Sequence, residues 1–465
     1  MATISRNQAA DNFSRENKQS HSKQRWDFDG NSISSIYQFD GDPDAPFDSA
    51  YGDSDSNPLA IDERFRRKDT TGIRYIDQIQ EMAVNRQTVN GAMSTQMPMP
   101  SWDDILVMGA QLNPLPLDDN APVSLTTVIG EHAATPLVLD MPFLISHVSF
   151  GAVSEETKEA FARAASAVGT AVGSGEGGIL PVERKHAKKF IFEYVPNHYS
   201  VTDENLASSD AIEIKFGQGT KPGMGGHLPG AKVTADIAEV RGKTEGESIQ
   251  SPSRFPEVQE PGDVKKLVDE LRSRSGGRPI GVKIAAGHIE DDLQVVVDSG
   301  ADFVTIDGRG GGTGSSPFFV REATSVPTIY ALDRARKFLD SVHSDMALII
   351  TGGLRVAPDI VKAVALGATA VGLSTAAMIA IGCQQFRICG TGRCPLGIAT
   401  QDPALRARLT VSVAAQRLEN FLTVTAEDVA TFARITGHKN IHDLSVADLL
   451  TLNSEVSQYT SVPHA

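Results

Sequence analysis

All three cysteines of the chain, Cys383, Cys389 and Cys394, fall in one window, C-x5-C-x4-C, closed by Pro395. Three thiolates on a glycine-punctuated loop can converge on one soft metal centre, and Cys-Pro is common at iron–sulfur ligands. A three-iron cluster takes three protein thiolates, whereas structural zinc normally takes four ligands. The nearest downstream fourth ligands are Asp402 and, far away, His438. On spacing alone a [3Fe–4S] cluster leads, with zinc and three reduced core thiols as the alternatives.

Two glycine-rich strand ends precede this window. A-L-I-I-T-G-G-L (347–354) brings Gly352, Gly353 and Leu354 to a turn, and A-V-G-L-S-T-A (370–376) brings Gly372, Ser374 and Thr375 to another. Backbone N–H groups at two such turns can hold a phosphate, as the loops after strands 7 and 8 of (β/α)8 barrels do. Ordinary tight turns are the alternative. FMN fits best, because a neighbouring cluster needs a one-electron partner. The loop D-G-R-G-G-G-T-G-S-S-P (307–317) lets Gly311 and Gly312 approach a ring or phosphate closely, with Thr313 and Ser315 as hydroxyl donors. It lacks the G-x-x-x-x-G-K-[ST] pattern of a nucleoside triphosphate site. Lys283, late in G-V-K-I, would point into a barrel mouth; it either stabilises the anionic edge of a reduced flavin or pairs with Asp307.

A third constellation, I-K-F-G-Q-G-T-K-P-G-M-G-G-H-L-P-G-A-K-V (214–233), carries Lys215, Gln218, Lys221, His227 and Lys232. Its cations on a Pro-stiffened loop suit a dicarboxylate; a solvated basic loop is the bland alternative. Upstream, G-S-G-E-G-G (173–178) offers Ser174 and Glu176.

These residues must be held by the elements around them. Apolar runs at 136–147, 211–216, 280–285, 302–307, 347–351 and 369–373 read as strands. Helical patterns at 154–168, 261–274 and 357–367 alternate with them. Such alternation predicts a parallel sheet, and the paired phosphate turns select an α/β (β/α)8 TIM barrel. The expected organisation is a polar N-terminal extension (1–60) that drapes over a partner or the body, an irregular lead-in (61–130), the barrel with its cysteine loop (131–410) and a C-terminal helical segment (411–465). Capping-box patterns place helix starts near Thr425 and Ser445. A charge-free run from Ala363 to Cys383 is long enough to cross a bilayer, but its glycines and hydroxyls break it into helix end, loop and buried strand. With a formal net charge of −15, nucleic acid and anionic membranes are not expected partners. The odd, tightly spaced cysteines and the absence of an apolar leader point to the cytoplasm.

Taken together, S-H-V-S-F-G-A-V-S, G-S-G-E-G-G, K-P-G-M-G-G-H-L-P-G-A-K-V, D-G-R-G-G-G-T-G-S-S-P, T-G-G-L and the cysteine loop resemble, in order and spacing, the FMN-binding synthase domain of glutamate synthases. The resemblance covers roughly residues 70–455 and is closest to stand-alone, archaeal-type forms. It implies FMN and a [3Fe–4S] cluster on the barrel, with Cys383, Cys389 and Cys394 as cluster ligands. Ser149, Gly151, Lys283, Gly311, Gly312, Gly352, Gly353, Gly372 and Ser374 would line FMN. Ser174, Gln218 and Lys221 would bind 2-oxoglutarate, and Lys283, Lys221 and Glu176 would be the catalytic set. The implied reaction reduces 2-iminoglutarate, formed from 2-oxoglutarate and ammonia, to L-glutamate. The sequence begins Met-Ala-Thr without a nucleophilic cysteine, so a separate glutaminase or amidotransferase subunit is expected to supply ammonia. Ferredoxin or an NAD(P)H-dependent reductase subunit would supply electrons, and an oligomer is expected. Departures fall on the substrate side: Met224 where an acidic residue is common, His227 where Gln is common, and S-P-S-R-F-P (251–256) where a His-His pair is common. The other readings are an N-methylglutamate synthase-type subunit using methylamine, another flavin barrel oxidoreductase acting on a hydroxy acid, and a non-catalytic electron-transfer subunit.

Overall fold

The computed structural model describes residue 59 and residues 74–465; apart from Leu59, the polar segment 1–60 and its expected draping lie outside the described residues. Two compact units divide at Gln87. The described part of the first is the helix Ile76–Asn85, bounded by Tyr75 and Arg86 in the left-handed region.

The second unit is built on eight parallel strands that close on themselves. They are β1 (Phe143–Ile145), β2 (Val172–Gly173), β3 (Phe190–Tyr194), β4 (Ala211–Lys215), β5 (Ile280–Ala285), β6 (Phe303–Asp307), β7 (Ala347–Thr351) and β8 (Ala370–Leu373), with β8 beside β1. Every residue of β3, β4, β5, β7 and β8 is buried. That burial explains their continuous apolar character, since the sheet is covered on both faces. Two of the eight strands are absent from the sequence-based expectation. The pair Val172–Gly173 is too short to show a pattern, and F-I-F-E-Y carries a glutamate that interrupts its apolar run.

The two-residue side-chain period of strands sorts the barrel interior into layers. The lower layer is apolar: Leu144, Ile191, Ala211, Phe303 and Ile349 pack with Ile129 and Leu139. The last two belong to the antiparallel pair Thr127–Ile129 and Leu137–Leu139. Gly281 is required here, because a Cβ would stand 2.1 Å from the Phe303 ring. Two residues further along the same strands come Ser146, Glu193, Glu213, Lys283, Thr305 and Thr351. The chain thus builds a dry plug and, one layer above it, a polar floor. Full burial of a side chain such as Phe303 contributes about 1.5–3 kcal/mol.

Helices α1 (Glu155–Val168), α2 (Asp263–Arg274), α3 (Ile289–Asp298), α4 (Thr328–Ser341) and α5 (Ala357–Ala365) alternate with the strands. Ser154 caps α1 by accepting the Thr157 N–H at 3.3 Å, and Glu155 and Glu156 occupy its positive first turn. In the lead-in, Asn90–Ser94 pairs antiparallel with Gly312–Pro317 beyond β6.

The C-terminal segment departs from expectation twice. Thr425 starts no helix: it lies inside the 26-residue helix α6 (Val411–Thr436), where its hydroxyl donates to the Phe421 carbonyl at 2.7 Å. Ser445 and Asp448 do form a capping box, but it opens only the 3-10 turn Val446–Asp448. Strand Leu449–Thr451 follows and pairs with Ile105–Val107. The charge-free run 363–383 becomes the end of α5, strand β8, a helix Thr375–Ala380 and a loop. Among the described residues no helix is long and apolar enough to cross a membrane.

Candidate active site

At the C-terminal ends of the barrel strands lies a cavity of about 1370 Å³, counting its open mouth. Its walls are chemically distinct. Gly352 and Gly353 after β7, and Gly372, Ser374 and Thr375 from β8 onward, make one wall; Gly311, Gly312 and Ser315 close over it. Gly352 sits at φ 115°, and a Cβ there would stand 2.7 Å from the Gly308 carbonyl oxygen. Only glycine suits both constraints. Ser315 Oγ is buried and has no hydrogen-bond partner among the described residues, and Ser315 lines the cavity.

The opposite wall and the floor are ionic. Lys283 Nζ lies 3.2 Å from Glu193 Oε1 and 3.9 Å from Glu213 Oε2. Lys215 Nζ lies 2.6 Å from Glu176 Oε2 and 3.8 Å from Glu193 Oε2. His147 Nδ1 accepts the Gly175 N–H at 3.1 Å, which leaves Nε2 to face Glu213 Oε2 at 3.0 Å. The Thr305 hydroxyl donates to Glu213, and the Ser251 hydroxyl to Glu176. Burial alone would raise Glu193, but Lys215 and Lys283 pull it down to about 2. Burial likewise opposes Glu213, and is outweighed by His147, Lys283 and Thr305. Lys283, which burial alone would lower, is held above its ordinary range by Glu193, Glu213 and Asp307. Asp307 moves up, because burial outweighs Lys283 and the Gly219 N–H. Glu193, Glu213 and Lys283 are thus each held charged by their neighbours, the condition for burying ions at all, whereas at Asp307 burial prevails.

The loop after β4 brings Gln218, Lys221 and His227 to the cavity. Lys221 donates to the Gly225 carbonyl at 2.9 Å. Burial, and then repulsion from Lys215, push Lys221 down to about 8. Glu176 accepts the Gly226 N–H at 3.2 Å and so ties this loop to the one after β2.

Of the sequence-predicted residues, Ser149, Glu176, Gln218, Lys221, Lys283, Gly311, Gly312, Gly352, Gly353, Gly372 and Ser374 share this one cavity, and Cys389 lies on its wall. Ser174 and Gly151 do not line it. Ser174 is fully buried, with its hydroxyl accepting the Glu193 N–H at 2.9 Å and donating to Gly175 O at 3.2 Å. The proposed pairing of Lys283 with Asp307 is secondary to its contacts with Glu193 and Glu213. His147, Glu193 and Glu213 were not anticipated; the available signal was a carboxylate inside each of two buried strands, F-I-F-E-Y and A-I-E-I-K, and a histidine two residues past the end of β1.

Cys383 and Cys389 are half-buried and Cys394 is buried, all three unpaired. Burial pushes up the Cys383 thiol. It does the same to Cys389, where repulsion from Cys383 adds to it and Lys232 opposes it. Lys232, itself buried, donates to Cys389 O at 3.2 Å and Ala152 O at 2.8 Å, joining the cysteine loop to the loop after β1. Among the described residues only His147, Glu193 and Glu213 bring three potential ligand atoms within 4.8 Å of one another, so the three sulfurs are spread wider than that. Ligands on one tetrahedral zinc, at about 2.3 Å from the metal, would sit closer together.

The chain belongs to the glutamate synthase family, a family of oxidoreductases: the profile described as "Conserved region in glutamate synthase" matches residues 74–439. It is 35% identical over 398 residues to the "Glutamate synthase large subunit-like protein" of Rhizobium meliloti (strain 1021), covering 81% of this chain and 90% of that one. It is 38% identical over 315 residues to the "Archaeal glutamate synthase [NADPH]" of Methanocaldococcus jannaschii, covering 67% of this chain but only 62% of that protein's length. Among solved structures, a soluble mutant of the membrane-associated (S)-mandelate dehydrogenase from Pseudomonas putida is similar at a TM-score of 0.50 and 17% identity. That match covers 75% of this chain and 88% of the other, and it is a likeness of fold.

Proposed function

We propose that the chain is an FMN- and iron–sulfur-dependent synthase subunit that reduces 2-iminoglutarate to L-glutamate. One observation carries this reading: a single cavity joins a glycine turn wall, a buried lysine–carboxylate floor, the desolvated Lys221 and the cysteine loop. The turn wall fits a flavin phosphate at Gly352, Gly353, Gly372 and Ser374. Ser149, Gly311, Gly312 and Lys283 would border the ring, and the unpartnered Ser315 hydroxyl offers a further donor. The cysteines fit an iron–sulfur cluster, since one short loop supplies three thiols and places Cys389 on the cavity wall. When bound, FMN would supply hydride and the cluster single electrons.

The chain's own residues hold and orient the substrate. Lys221 and Gln218 would take a substrate carboxylate in a charge-assisted contact. Lys283, kept protonated by Glu193 and Glu213, would present fixed positive charge to the ring edge, and such preorganised charge acts strongly in a dry site. Glu176 is a positioning residue rather than a proton donor. Burial opposes its ionisation, yet Lys215 and Ser251 keep it ionised, and it holds the Gly226 N–H in place. Reduction delivers hydride to C2 and a proton to nitrogen, so orientation supplies most of the catalysis. Ammonia from a separate glutaminase subunit, and electrons from ferredoxin or an NAD(P)H-dependent reductase subunit, complete the scheme.

A second reading, with methylamine in place of ammonia, is favoured by Met224. It is 37% exposed and lines a side cavity of about 300 Å³ together with Glu176 and Lys215, an apolar surface able to accept a methyl group. Anaerobic incubation of the purified protein with reduced methyl viologen, 2-oxoglutarate and either ¹⁵N-ammonium or methylamine tests both. Labelled glutamate supports the first reading, N-methylglutamate supports the second, and neither product from flavin-loaded protein refutes both.

A further inference from the structure

Gln218 and Lys221 are joined by Gly219 and Thr220, and the backbone of that pair is held by one other loop, the long one between β6 and α4. At its start, Asp307 Oδ2 accepts the Gly219 N–H at 2.6 Å. At its end, the Ser325 hydroxyl donates to Gly219 O at 3.2 Å. Thr324 Oγ1 lies 2.8 Å from both Thr220 O and Val320 O, so its one proton serves either carbonyl. Gly219 itself sits at φ 45° and has no side chain with which to fix the turn. The conformation between Gln218 and Lys221 is therefore set from outside.

The holding residues are fixed in turn. Arg309 donates from Nη1 to Thr324 O at 2.7 Å, from Nη2 to Glu322 O at 2.6 Å and from its backbone to Val326 O at 2.9 Å. The Val326 N–H continues to Ala286 O, just past β5, at 2.8 Å. Ser325 occupies the left-handed region at φ 69°. That conformation is costly for a residue with a Cβ and persists where surrounding contacts over-determine it. The same loop carries Gly311 and Gly312. A Cβ on Gly311 would stand 2.4 Å from Asp307 Oδ1, and one on Gly219 would stand 3.3 Å from Gly312 Cα. The substrate loop thus rests on the segment proposed to border the flavin, with the Asp307 carboxylate against both. Thr324 and Ser325 do not line the cavity, so they reach a ligand only through this backbone.

We infer that Thr324 and Ser325, with Asp307, are positioning residues for the dicarboxylate substrate. They act through the backbone of Gly219 and Thr220 to aim the Gln218 and Lys221 side chains at a carboxylate. They set that aim from the loop that would border the ring, so the two halves of the site share one frame. The inference rests on the proposed assignment of Gln218 and Lys221 to 2-oxoglutarate. A displacement of about 1 Å in groups that orient a substrate costs as much as about 100-fold, so a frame that touches no ligand can still govern affinity.

The test uses the full-length, flavin-loaded protein in its oxidised state, with 2-oxoglutarate as the probe and calorimetry as the readout, so no turnover is needed. The double variant Thr324→Val/Ser325→Ala should raise the dissociation constant about tenfold or more, with FMN content and the urea midpoint kept. Thr324→Ser, which retains the hydroxyl, should bind as wild type does. In a Lys221→Ala background the same double substitution should cost less than in wild type, because one of the side chains it aims is gone. If the double variant does not fold, Ser325→Ala alone carries the test through its one lost bond. Unchanged affinity in the variants would overturn the inference, and so would full additivity with Lys221→Ala. Affinity lost only in step with flavin or stability would make the residues structural and overturn it too. Wild-type protein that holds FMN and binds no 2-oxoglutarate would refute the glutamate reading and this inference with it; wild-type binding that the variants leave intact would refute the inference alone.

Discussion

The two walls of the cavity solve the same problem, holding charged groups out of water, by opposite means. The wall after β7 and β8 uses backbone: glycines and hydroxyls with little side chain. The wall from β3 to β5 uses side chains: Glu193 and Lys283 line the cavity, with Glu213 and Lys215 buried behind them in a chain of contacts under 4 Å. A backbone wall fails by steric intrusion at one residue. An ionic wall fails by leaving a partner uncompensated, and so its failure spreads.

That difference is sharpest at Lys283. Lys283→Met takes from Glu193 and Glu213 the cation they share, leaving Glu193 with Lys215 and Glu213 with His147 and Thr305, and the expected loss is about 3 kcal/mol of unfolding free energy, read from urea denaturation. Gly352→Ala should cost less in stability, about 1–3 kcal/mol from the positive φ. Its main effect should be a flavin content far below that of wild type, measured by absorbance after gel filtration. If Gly352→Ala retained its flavin, the backbone wall would not be the phosphate site.

The substrate loop lies between these extremes. Lys221→Ala should raise the KM for 2-oxoglutarate about 10- to 100-fold, the loss of one charge-assisted contact, while flavin stays bound. In the wild type the pH sign follows from its lowered position near 8. Carboxylate binding by Lys221 is present below pH about 8 and lost above it, so the KM should climb there and the Lys221→Ala enzyme should lack that rise. Stability should not fall with it. Between pH 8 and the ordinary lysine range the unfolded chain binds the extra proton, so this group's contribution to stability rises with pH. The smallest effect belongs to exposed pairs such as Lys265–Asp269: Lys265→Ala should change stability by about 0.5 kcal/mol or less.

The backbone wall was legible in the sequence because its chemistry is local. T-G-G-L and G-L-S-T are turns whose glycines are read in place, and strands such as V-T-I-D announce themselves as apolar runs. The ionic wall was not legible, because its meaning depends on closure of the barrel. Glu193 and Lys283 are 90 residues apart, and only strands in register around a closed sheet bring them to 3.2 Å. Ser174 shows the converse error: on a glycine turn its hydroxyl looked free for a ligand, but it is taken up by the N–H of Glu193. Thr425 failed for a related reason, since a capping pattern inside a long helix lets the hydroxyl bond back to the preceding turn.

In the proposed function the backbone wall and the cysteine loop serve one electron path to a single substrate cavity. Visible absorption with iron and flavin analysis of the anaerobically purified protein tests it most directly. Flavin bands over a broad iron–sulfur shoulder are expected, with FMN released on denaturation and an oxidised three-iron EPR signal that disappears in Cys389→Ser. Protein containing zinc and no flavin would contradict it.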